Sequence, residues 1–135
     1  MELPITTLST IALGALYIVL TIRVFGGRRS TGVSLGDGDD MMLTRRIRGQ
    51  GNFVENVPIT LFLILVAEMQ SVSVPPDLFT MVLAITAAAF VLGRILHGYA
   101  FAFTDNWPFG RVVGMSLSFF STAALVPLAL FAALT

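Results

Sequence analysis

The sequence predicts an all-α integral membrane protein, one bundle of four membrane-spanning helices, and three observations predict it. The 135 residues are 56% hydrophobic and only 12% charged, and the mean hydropathy is +0.87, outside the range of an ordinary soluble domain. The apolar residues fall in long stretches of roughly 20 or more, the length needed to cross a hydrocarbon core about 30 Å thick. Glycine, proline and polar residues collect between these stretches, where the chain must reverse.

Helices are expected over about 3–24, 41–69, 77–102 and 109–134. The first carries no charge from Leu3 to Ile22 and is closed by Arg23. Glu2 stands where a cleavable signal would have basic residues, so this segment is expected to remain as a span. Gly26, Gly27, Gly32, Gly36 and Gly38 mark an irregular loop up to Asp40, and Asp39 or Asp40 is placed to cap the next helix. The second helix is long enough to project a polar first half beyond the apolar half that enters the bilayer. Within it, Pro58 frees the carbonyl of Val54 and predicts a kink beside Glu55. A short turn over 71–76 leads to the third helix, and residues 104–108 join it to the fourth. In the fourth, Gly110-x-x-x-Gly114 reads as close helix packing.

Orientation follows from the arginines. Arg23, Arg28, Arg29, Arg45, Arg46 and Arg48 flank the first loop, and Arg94 and Arg111 lie towards the third. By the positive-inside rule these loops are cytoplasmic and both termini extracytoplasmic. Some of these arginines need be no more than topology anchors that snorkel to headgroups, Arg28, Arg29 and Arg46 above all.

The absence of cysteine excludes disulfides, a thiol nucleophile and thiolate metal sites, and no metal is expected. With zero formal net charge and no basic tail, the electrostatic footprint of a nucleic-acid binder is missing. What remains is a set of ionisable groups inside the spans. Arg45, Arg48, Asn52 and Glu55 share one helical face, and Arg48 to Glu55 covers only about 10 Å of rise. An unpaired carboxylate at mid-bilayer costs at least ~2.5 to 3.5 kcal/mol, so Glu55 needs a partner, an interfacial position or a wet cavity. Arg94 and His97 share a face of the third helix, with Tyr99 on a neighbouring one; Arg111 starts the fourth, with Ser118 two turns deeper. Such a pocket suits a small ligand bearing carboxylates and an amine, and glutathione has that pattern and supplies the thiol this chain lacks. The bland readings are an interhelical hydrogen-bond network at Arg48, Asn52 and Glu55, a satisfied polar cluster at Arg94 and His97, and interfacial belt positions for Tyr99 and Trp107.

Arg48-x-x-x-Asn52-x-x-Glu55-x-x-Pro58, together with Gly93-Arg94-Ile95-Leu96-His97-Gly98-Tyr99, resembles the MAPEG family, the membrane-associated proteins of eicosanoid and glutathione metabolism. Gly36-Asp37-Gly38 followed by Ile47 to Asn52 resembles its short bacterial branch, and the resemblance runs over essentially the whole chain. It implies a homotrimer in a bacterial inner membrane, with glutathione held in a U shape between neighbouring subunits near the cytoplasmic face. By position, Arg48, Asn52 and Glu55 are similar to the family's glutathione-binding residues. Arg94 and either His97 or Tyr99 match its contacts on the third helix, Arg45 and Arg23 are further candidates, and Arg111 resembles the arginine that stabilises the thiolate. The implied activity is that of a glutathione transferase or peroxidase acting on a lipophilic small molecule or lipid hydroperoxide. The chain departs from the family pattern at Asn56, where several eukaryotic members have tyrosine, and at Val112 and Met115, which follow Arg111 where a hydroxyl or aromatic residue is often found, so the resemblance does not extend to eicosanoid specificity.

The thiolate role is energetically feasible. Lowering a thiol from about 8.5 by two pKa units requires about 2.7 kcal/mol. One arginine at ~4 Å supplies roughly 4 kcal/mol at an effective dielectric of 20. Two rival functions stand beside this one: a non-catalytic lipid- or glutathione-binding protein, and a small proton-driven multidrug exporter. The exporter needs an embedded acid in the first helix, whose only nearby acid is Glu2 at its edge.

Overall fold

The computed structural model describes residues 2–70 and 76–134, with the backbone alone at 76 and 77. Among these residues there are four helices, α1 (Pro4–Thr31), α2 (Met41–Gln70), α3 (Pro76–Ala102) and α4 (Pro108–Leu134), each long and apolar enough to cross a membrane. The turn expected over 71–76 lies, apart from Pro76, outside the described residues. The central helices α2 and α3 pack on one another and on both flanking helices, α1 and α4. One apolar core, around Ile64, Phe79, Leu83 and Leu125, ties α2, α3 and α4 together; a second, around Leu13, Leu20, Phe53 and Phe90, ties α1 to α2 and α3.

The first helix runs further than expected. Gly26 and Gly27 lie inside α1, which continues to Thr31 and ends at Gly32 in the left-handed conformation (φ 70°). Gly27 faces α2 so closely that a Cβ would lie 3.0 Å from the side chains of Arg46 and Leu43. The glycine therefore serves helix packing, and the chain turns only where Gly32 supplies a positive φ without steric cost. The remaining loop is tied at both ends. Arg28 Nη1 donates to the carbonyls of Ser34 (3.3 Å) and Gly36 (2.8 Å), and the Thr44 hydroxyl donates to Asp37 (2.8 Å) and holds that carboxyl below the usual range. Of the two candidate caps, Asp40 performs the role, its carboxylate accepting the Leu43 N–H at 2.6 Å. α2 passes through Pro58 as continuous helix. On either side of the proline, Asn56 and Thr60 bond back to the carbonyls of Asn52 (2.8 Å) and Asn56 (2.9 Å).

The opposite end of the bundle is fastened by a residue the sequence did not single out. Leu3 precedes Pro4 and gives α1 no side-chain cap. The buried carboxylate of Glu68, near the end of α2, instead accepts the Ile5 and Thr6 amides at 2.9 and 2.7 Å. An anion on a helix N-terminus satisfies orphan donors and complements the helix dipole. Glu68→Ala is expected to lower stability by about 1 to 2 kcal/mol, the range for loss of a cap, and Glu68→Gln by less because it keeps one acceptor. Unfolding midpoints in detergent measure both; equal midpoints for wild type and Glu68→Ala would remove the cap from the account.

Candidate functional site

A cleft of about 510 Å³ opens between α2 and α3, lined by Ile47, Arg48, Gly51, Asn52, Glu55, His97 and Phe101. Its α2 wall is the helical stripe read from the sequence. Its α3 wall is the His97 and Phe101 pair, one turn apart and stacked with ring centroids 4.8 Å apart. Gly49 lets the helices approach here, since a Cβ would fall 2.6 Å from that of Phe101.

Behind the cleft lies Arg94, only 1% exposed. Its Nη1 donates to Asn52 Oδ1 at 2.8 Å, its Nε to the Ser118 hydroxyl at 2.8 Å, and its Nη2 lies 3.9 Å from the Met115 sulfur. One guanidinium thus joins α2, α3 and α4. It does not line the cleft; it fixes Asn52, which does. The Ser118 hydroxyl donates its own hydrogen bond to the Gly114 carbonyl at 2.7 Å, which leaves its oxygen free to accept from Arg94. The crossing is close because two glycines meet: a Cβ on Gly93 would lie 2.8 Å from the Gly114 carbonyl oxygen, and one on Gly114 would lie 2.6 Å from the His97 amide nitrogen. Gly114 therefore does pack against α3, as the motif predicted. Gly110 has another task, seating the ring of Trp107 from its own chain.

The other candidates are arranged differently. Arg45 Nη2 donates to the Ala100 carbonyl (2.9 Å) and Arg23 Nε to that of Ala102 (3.1 Å), with the guanidinium groups over Phe101 and Phe103. Both cations sit on the last carbonyls of α3, where the helix dipole favours positive charge. Tyr99 is 50% exposed, stacks on Phe103 and meets the edge of Trp107; of the two alternatives on α3, His97 lines the cleft of its own chain and Tyr99 does not. Arg111 is exposed in the first turn of α4, outside that cleft.

Arg48 and Glu55 are exposed, and neither has a hydrogen-bond or ion partner among the described residues. Charges of opposite sign along one membrane helix, left unsatisfied by their own chain, call for a partner from outside it. Phe101 was not foreseen, although it continues the Arg94 and His97 face by one turn, and that spacing would have found it.

A comparison with curated proteins gave no match. The family model described as MAPEG family matches residues 6–131, nearly the full length and all four helices. The chain belongs to the MAPEG family and is an integral membrane four-helix bundle of that family.

Proposed function

We propose that the protein is a membrane-bound, glutathione-dependent transferase or peroxidase that binds glutathione in the α2–α3 cleft. Arg48 grips a carboxylate, Glu55 the ammonium group, and Asn52, held by Arg94, a backbone amide. Arg111 stabilises the thiolate, which attacks a lipophilic electrophile or lipid hydroperoxide arriving from the bilayer. The observation that carries this reading is the pair Arg48 and Glu55, opposite charges without partners in one cleft beside Asn52 and His97. A ligand with two carboxylates and one ammonium complements it, and a neighbouring copy in a homotrimer would close the open side. Placed by the positive-inside rule in a bacterial inner membrane, the cleft faces the cytoplasm, where a soluble thiol is accessible. A second reading, binding without turnover, is favoured by the position of Arg111 outside the cleft of its own chain.

Purified protein in detergent, titrated with glutathione by calorimetry and assayed with a generic aromatic electrophile, tests both. Saturable binding with conjugation supports the transferase; binding with no conjugation or peroxide reduction supports the second reading. Glu55→Gln is expected to weaken glutathione about 10- to 150-fold, the loss of one charge-assisted hydrogen bond of about 1.5–3 kcal/mol. An unchanged Kd in that variant would remove Glu55 from the site.

A further inference from the structure

We propose that Met115 is a modification site, a thioether placed to be oxidised to the sulfoxide by a lipophilic hydroperoxide and held in that form by Arg94. The guanidinium commits its Nε to Ser118 and its Nη1 to Asn52, both oxygen acceptors at 2.8 Å. Its Nη2 has one polar contact among the described residues, the Met115 sulfur at 3.9 Å. A cationic N–H is among the strongest donors in a protein and a thioether among the weakest acceptors, so this third arm of Arg94 lacks a matching acceptor. The Phe90 ring, with its centroid 5.9 Å from the guanidinium carbon, offers no oxygen either.

Oxidation supplies that acceptor without moving either residue. A sulfoxide S–O bond of about 1.5 Å and an N–H···O bond of about 2.8 Å, meeting at about 125° at the oxygen, place the nitrogen about 3.9 Å from the sulfur. That is the separation already present. Met115 is also reachable, being 39% exposed on α4, about two turns into a helix that crosses the membrane. A hydroperoxide dissolved in the bilayer meets it directly. Exposure alone does not single it out: Met81 lies inside the α3 span and is 53% exposed, but its sulfur has no polar contact among the described residues.

The step balances with the hydroperoxide as sole oxidant. A sulfur lone pair attacks the terminal peroxide oxygen, the S–O bond forms, and the O–O bonding pair leaves on the alkoxide oxygen. The alkoxide takes the proton of the transferred oxygen, giving an alcohol and the sulfoxide; sulfur loses two electrons and the peroxide gains them. Negative charge builds on oxygen as the O–O bond parts, and the hydrocarbon region has no water to stabilise it. The fixed N–H of Arg94 does so at Met115, and nothing equivalent does at Met81. The sulfoxide dipole then points its oxygen at the guanidinium, a further charge-assisted bond between α3 and α4.

The test is the wild-type protein in liposomes, without glutathione, exposed to cumene hydroperoxide, with sulfoxide at Met115 and Met81 followed by peptide mass spectrometry. Met115 is expected to oxidise faster by about tenfold or more, a modest share of what one fixed N–H donor contributes in an enclosed site. After extraction into detergent, the unfolding midpoint of the oxidised protein is expected to rise by about 3 to 6 °C. Met115→Leu, oxidised to the same extent elsewhere, is expected to show no such rise. Equal rates, or Met81 ahead, overturn the site, since a methionine that merely packs follows exposure. A midpoint that does not rise relative to Met115→Leu overturns the bond to Arg94 and the proposal with it. Glutathione takes no part, so neither result bears on the transferase reading, and failure of that reading leaves this one standing.

Discussion

Replacing Arg94 by leucine is expected to cost about 2 to 4 kcal/mol of stability and, with the cleft binding glutathione as proposed, to abolish that binding. The guanidinium is buried and donates to Asn52 on α2 and Ser118 on α4. Leucine would fill part of the volume but take the guanidinium donor from the half-buried Asn52 carbonyl oxygen, and a hydrogen bond to a charged group contributes about 1.5–3 kcal/mol. Ser118 would fare better, because its hydroxyl still donates to Gly114. The binding loss follows from position: Asn52 lines the cleft and Arg94 holds it there. Arg94→Lys separates charge from geometry. Lysine keeps the positive charge, but a single ammonium lacks the planar fork that reaches two acceptors on different helices. It is expected to retain the fold at reduced stability and to bind glutathione weakly. Detergent unfolding midpoints and calorimetry on the two variants check this; a wild-type midpoint in Arg94→Leu would show that the buried guanidinium does not hold the three helices.

The spans were legible because a membrane imposes its length directly on the sequence: an apolar run of about 20 residues has few other uses. The α2 face of the cleft was legible for a related reason, since charge is too costly in a bilayer to be placed without purpose. Less visible was what each charge does once the helices meet. Arg45 and Arg48 belong to one stripe, yet Arg45 turns to the end of α3 while Arg48 stays in the cleft. Small angular differences on a helix decide such outcomes, and they depend on the neighbour's position. Gly26 and Gly27 misled for a similar reason. Glycine marks a turn when its φ is used and a helix contact when its missing side chain is used, and sequence alone does not distinguish the two. Glu68 was overlooked because its partners are backbone amides more than 60 residues away in the chain.

The second large effect concerns the crossing of α3 and α4. Gly114→Val is expected to destabilise the bundle by about 3 kcal/mol, at the upper end for overpacking, and to remove glutathione binding with it. Even the first added carbon would lie 2.6 Å from the His97 nitrogen, 2.7 Å from the Gly93 carbonyl oxygen and 2.9 Å from the His97 Cβ. These are backbone atoms and a Cβ, and none can rotate aside as the end of a flexible side chain could. The helices must part, and parting them moves His97 from the cleft and stretches the contact between Arg94 and Ser118. A control isolates the packing term. Gly14 is also within a helix, but a Cβ there meets nothing within 4 Å in its own chain. Gly14→Ala is therefore expected to be neutral or to stabilise by about 0.5–1 kcal/mol through helix propensity. Opposite signs for the two substitutions, read as unfolding midpoints under one detergent condition, would place the cost at the α3–α4 contact. A comparable loss at both positions would show that the membrane environment, and not this crossing, sets the penalty.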